Sequence, residues 1–176
     1  LSYDAMEPYY AQAERLFEVH GARGLDPTEP WASGDYPFPA VSHEPRLQRL
    51  ADDLTRCGHR PFPCPVGVRI DEQRPLESRC VRCATCDGFA CLVHAKSDAE
   101  MLCVRPALAT GNVTLLTRAR ATFLETSADG REVTRVRVER DGAIEDYAAD
   151  IVVVAAGAVN SAALLLRSAS DRHPDG

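Results

Sequence analysis

Residues 151–168 read IVVVAAGAVNSAALLLRS, an unbroken apolar run that meets a glycine at 157 and continues as an alanine- and leucine-rich segment. A strand buried on both faces has no reason to alternate, so it shows as a continuous Val/Ile run, and helical spacing after the glycine completes a strand-turn-helix unit. Gly157 suits the turn because it lacks the Cβ that would hold off a crossing helix or a ligand. A helix start at such a turn offers free amides to an anion. The junction is therefore a candidate nucleotide site in an α/β fold.

Upstream of it, the pattern changes from buried runs to alternation. ARATFLETS (119–127) and VTRVRVER (133–140) flank Ala128-Asp129-Gly130-Arg131, and a second Asp-Gly at 141–142 leads into AIEDYAAD (143–150). Asp-Gly accepts the positive φ of tight hairpin turns, so these three segments predict an antiparallel meander. NVTLLT (112–117) predicts a further strand, and a helical piece disturbed by Pro106 spans Asp98 to Leu108.

Nearer the start, Met6, Tyr10, Ala13 and Phe17 fall at helical spacing, with Ser2 or Asp4 as cap and Gly21 as stop. Residues 22–41 carry four prolines and predict an irregular connection that wraps over something. A second helix follows Ser42, with Leu47, Leu50, Ala51 and Leu54 on one stripe and Gly58 at its end. Val66, Val68 and Ile70 then alternate as a short strand.

The chain has 176 residues, enough to bury roughly 70% of its unfolded surface. Its 20 basic and 26 acidic side chains give a net charge of −6. That balance argues against nucleic acid or an anionic membrane as the main partner. The longest apolar run, residues 151–159, is too short to span a bilayer, and the expectation is a cytoplasmic protein without a membrane span.

Seven cysteines stand apart from this pattern. Cys80, Cys83, Cys86 and Cys91 form CxxCxxCxxxxC, while Cys57, Cys64 and Cys103 are scattered. The close spacing suits zinc or an iron-sulfur cluster; disulfides or plain structural thiols explain it equally. A metal-binding or electron-transfer module built on this cluster is thus the alternative reading of function. The five histidines suggest no catalytic role, since three of them, His20, His43 and His173, fall at helix ends where dipole interactions account for them.

Four passages, SYDAMEPYYAQAERLFEVHG (2–21), HAKSDAE (94–100), NVTLLTRARATFLE (112–125) and VVVAAGAVNSAALLLRS (152–168), occur together in one order. In that order the chain resembles the glucose-methanol-choline (GMC) family of FAD-dependent alcohol oxidoreductases. It departs from the family at Ala169, where a glycine is usual.

The resemblance implies an α/β fold: part of a Rossmann-like FAD-binding domain with an antiparallel meander in residues 96–176, and part of a substrate or lid domain with the cysteine-rich segment in residues 1–95. It implies FAD as cofactor, with the Ala121 backbone at the adenine edge and Ala156, Gly157 and Ala158 at the adenosine end. It further implies oxidation of a small-molecule alcohol or sugar, with a base taking the hydroxyl proton as hydride passes to flavin N5, and it leaves the electron acceptor open. The family's GxGxxG turn and catalytic His-His or His-Asn pair are expected in parts of a longer protein outside these residues, so no catalytic residue is assigned here and the chain alone is expected to be inactive.

Overall fold

The computed structural model describes residues 1–176 as a mixed α/β chain that divides into two compact units, Leu1–Val113 and Thr114–Gly176. Val68 bridges to Lys96, and the Ser97 amide donates to the Gly67 carbonyl at 3.2 Å. These contacts keep residues 95–97 with the first unit.

The first unit opens with helix α1, Tyr3–Leu16, capped as expected by Ser2, whose hydroxyl accepts the Ala5 amide at 3.3 Å. Its buried face differs from the apolar stripe read from the sequence. Glu7 and Ala11 are the buried residues, one turn apart. The reason is the proline-rich loop, which is held by carboxylates rather than by apolar side chains. Glu7 Oε1 accepts the Ser33 amide at 2.6 Å, and Arg23 from the loop donates to Glu14 at 2.5 Å and to Glu29 at 2.6 Å.

Three short strands follow: β1 Val19–Gly21, β2 Phe38–Pro39 and β3 Val66–Gly67, ordered β2-β1-β3, with β1 parallel to β2 and antiparallel to β3. Gly21 thus lies in a strand and does not stop α1. A Cβ built there would stand 2.7 Å from Tyr36 Cε2, so the missing side chain is the space into which Tyr36 packs. His20 is likewise in β1 and not at a helix end; it is buried, with Nδ1 2.8 Å from the Pro39 carbonyl.

Helix α2, Pro45–Arg56, begins with Pro at its first turn and ends at Cys57, and Gly58 follows with φ of +86°. Of its apolar stripe only Ala51 is buried; Leu47 and Leu50 are exposed. A π-helical turn, Glu100–Val104, runs into the short helix α3, Arg105–Ala109.

The second unit holds the meander β4 Ala119–Thr126, β5 Val133–Arg140 and β6 Ala143–Tyr147, in the order β4-β5-β6. The second Asp-Gly pair turns as read: Asp141 and Gly142 have φ of +50° and +82°, the combination a two-residue hairpin requires, whereas at the first only Gly130 has positive φ, +75°, within a longer connection of residues 127–132. Helix α4, Gly157–Arg167, packs on β4, and Leu124, Val138 and Leu164 form the buried centre.

Two expected strands are not formed. Residues 112–116 and 151–155 have no ladder partner, and Ile151 and Val153 are 80% and 79% exposed. A run that is apolar on both faces needs neighbours on both sides, and no strand of this chain supplies them.

The buried apolar set is small: Ala11, Ala51, Ala95, Leu124, Val138 and Leu164. The accessible surface of 13292 Å² exceeds the value of about 10,000 Å² for two compact domains of these lengths. The chain therefore buries less of itself than its length alone predicts. No helix is long and apolar enough to cross a membrane.

Candidate functional site

Ala121 lies within β4, half-buried and paired with Val138. β4 is an edge of its sheet, so half of its backbone groups face away from β5. The register slips between Ala121 and Phe123, which inserts one extra residue at Thr122 and twists the strand there.

Ala156, Gly157 and Ala158 form the start of α4, and all three are exposed. Gly157 has φ of +78°, a conformation that L side chains adopt only with strain, and a Cβ there would meet nothing within 4 Å. No side chain caps the helix start and no acidic residue sits in its first turn. The Ala156 amide is satisfied from within, donating to Ser161 Oγ at 3.0 Å. The following amides of the first turn have no intrahelical partner, as at any helix start. What results is an open, glycine-shaped cradle with positive partial charge.

Ser168 closes the other end of α4. Its hydroxyl donates to the Leu164 carbonyl at 2.8 Å and accepts the Leu124 amide from β4 at 2.9 Å. Sequence reading missed this residue as a link because its partner lies 44 positions away. Its position at the helix exit was the available signal.

In the first unit the loop charges gather around Arg23. Its guanidinium lies 3.7 Å from the Tyr36 ring centre, and Glu29 accepts from both Arg23 and the Tyr36 hydroxyl, the latter at 3.0 Å. The hydrogen bond from Arg23 holds the Glu29 carboxyl below the usual carboxylate range against the opposing effect of burial. Burial, with the Glu29 hydrogen bond, pushes Tyr36 up to about 12. Every polar group here is matched to a partner, which makes it a loop clasp.

The cysteine motif does not assemble into a metal site: no group of three or more His, Cys, Asp or Glu side chains is placed to hold an ion. All seven cysteines are free thiols. The arrangement gives no support to the reading of the chain as a metal-binding module.

The GMC oxidoreductase family model matches residues 65–175, a span that takes in the cysteine loop, the meander and the Gly157 turn. The chain belongs to the GMC oxidoreductase family. Among curated GMC-type relatives, it is 34% identical to 6'''-hydroxyparomomycin C oxidase of Streptomyces lividus, over 96% of this chain and 31% of the relative. It is 32% identical to paromamine 6'-oxidase of Streptomyces fradiae, over 97% of this chain and 30% of the relative. Gluconate 2-dehydrogenase flavoprotein of Pantoea cypripedii is 25% identical over 56% of this chain and 18% of its own length. This GMC chain thus spans about a third of the length of the first two relatives.

Proposed function

We propose that the whole protein is an FAD-dependent oxidoreductase that oxidises a CH–OH group of an aminosugar-like alcohol. In this reading residues 96–176 form the second half of its FAD-binding domain and residues 1–95 part of its substrate or lid region. The observation that carries the reading is the family match across residues 65–175, together with two relatives named as oxidases that align over nearly the whole chain.

The residues present suit the adenosine end of the cofactor. The start of α4 is open and free of acidic side chains, and Gly157 leaves room for close backbone approach. Amides at a helix start favour phosphate oxygens. The Leu124 amide leaves the edge of β4 to reach Ser168. Alternation, counted back through the extra residue at Thr122, returns the Ala121 amide to that same edge. This supports Ala121 as the backbone contact to adenine, with Ala156, Gly157 and Ala158 at the ribose and phosphates.

When bound, the flavin would supply the hydride acceptor. What these residues contribute is placement. The meander presents a fixed strand edge, and Ser168 holds α4 against it. The 176 residues contain no GxGxxG turn. Expressed by themselves they are expected neither to hold FAD nor to turn over alcohols.

Purified full-length protein tests the reading. Paired flavin absorbance bands and oxidation of an aminosugar alcohol such as paromamine, followed with both oxygen and an artificial dye as acceptor, are the expected results. A colourless protein, or a flavoprotein inert toward sugar alcohols, would overturn it.

A further inference from the structure

The cysteine loop separates its four motif thiols into two kinds. Cys80 and Cys91 are half-buried and belong to the frame: the Cys80 amide donates to the Arg69 carbonyl at 3.0 Å, and Cys91 Sγ accepts the amide of fully buried Ala95 at 3.2 Å. Cys83 and Cys86 are exposed at the tip between them. Ala84 and Thr85 make a turn, so the two cysteines occupy its corners. Corner residues of a β-turn lie within about 7 Å at Cα, close to the range of about 4.4–6.8 Å that a disulfide spans.

The tip is also pinned from below. Lys96 Nζ donates to the Cys86 carbonyl at 2.7 Å and to the Phe89 carbonyl at 2.6 Å. Both thiols line a small cleft of about 220 Å³ with Thr85, Phe89 and Leu92. Nothing in the aminosugar-oxidation reading uses them.

We infer that Cys83 and Cys86 form a reversible dithiol-disulfide pair at the tip of this loop, with Cys83 as the attacking sulfur and Cys86 as the resolving one. The division of roles follows from their surroundings. Cys83 Sγ lies 3.3 Å from the Thr85 hydroxyl. Hydrogen bonds from Thr85 and then from Cys86 hold the Cys83 thiol below its ordinary range, while partial desolvation and the adjacent Cys83 push Cys86 up. A thiol that ionises more readily, next to one that stays protonated, is the arrangement of an attacking and a resolving pair.

With a hydroperoxide as oxidant the step balances. The Cys83 thiolate attacks one peroxide oxygen, the O–O bond breaks, and the departing hydroxide takes the proton lost by Cys83 to leave as water, giving a sulfenic acid. Cys86 sulfur then attacks Cys83 sulfur. The S–O bond breaks, the S–S bond forms, and the hydroxide leaves with the Cys86 proton as a second water. Two thiols and one hydrogen peroxide become one disulfide and two waters.

The test uses reduced full-length protein treated with one equivalent of hydrogen peroxide, alkylated, and mapped by peptide mass spectrometry. The expected product is a Cys83–Cys86 disulfide that dithiothreitol reverses, with Cys57, Cys64 and Cys103 still alkylated. In Cys86→Ser, Cys83 should be trapped as a dimedone-reactive sulfenic acid; Cys57→Ser should leave the pattern unchanged. Both tip thiols still free after peroxide, a disulfide joining another pair, or thiols masked by zinc or iron that acid or chelator releases would each overturn the inference. The wild-type map decides the matter even if a variant fails to fold.

Discussion

Ser168 accepts the Leu124 amide at 2.9 Å, and this one hydroxyl joins the exit of α4 to the free edge of β4. Ser168→Ala would leave a partly buried amide unmatched. We expect a loss of about 1–2 kcal/mol in the second unit, read as faster hydrogen exchange in peptides covering residues 119–126. Unchanged exchange there would show that the helix is held by Leu164 packing alone.

Gly157 carries the next expectation. A Cβ at Gly157 meets nothing within 4 Å, so the internal cost of Gly157→Val is chiefly the backbone strain of about 1–2 kcal/mol at positive φ. A branched side chain in the cradle should nonetheless strip most FAD from the full-length protein. Arg137→Ala, which removes only an exposed ion pair with Asp146 at 3.4 Å, should keep it. Flavin content per polypeptide, measured after heat release, compares the two. Equal content would remove Gly157 from the site.

Glu29 sets an acid limit on the loop clasp. Its carboxyl titrates lower folded than unfolded, so its contribution is fully present above the unfolded carboxylate value near 4.5 and is lost as pH falls through the folded one. Glu29→Gln should therefore be less stable than wild type at neutral pH, and the gap should close in acid. Urea titrations at several pH values, with hydrogen exchange over residues 22–39 as readout, check this. A gap that stays constant from pH 7 to pH 3 would contradict it.

Residues 1–176 expressed alone should associate. Ile151, Val153 and Val159 are each about four-fifths exposed, and the buried apolar set is half alanine. Size-exclusion chromatography with a flavin spectrum measures the outcome. A monodisperse, yellow, active species would be the contrary result.

Local chemistry was readable and distant partnership was not. Ser2 capping α1 and the two Asp-Gly turns depend on residues a few positions apart, so the sequence displays them directly. Gly21 and the face of α1 misled because their partners, Tyr36, Ser33 and Arg23, come from a loop with no periodicity of its own. The runs at 112–116 and 151–155 carry strand composition without strand pairing, since pairing belongs to neighbours rather than to the segment. Ala121 and the Gly157 turn were singled out by family resemblance; the exposed helix start and the edge strand on which they lie became visible only in three dimensions. For the cysteines, spacing announced a cluster, while geometry divided it into two framing residues and two at the tip.

The meander has a consequence for the order of folding. Each of its strands pairs with the next one along the chain, across connections of six residues (127–132) and two (141–142). Contacts so close in sequence form early because little chain must be restrained to make them. During synthesis the three strands can zip together once Tyr147 has emerged, before the Gly157 turn exists. The Gly157 turn would then be added to a finished template, so a slip in either Asp-Gly turn would misplace the edge of β4 before α4 had anything to pack on.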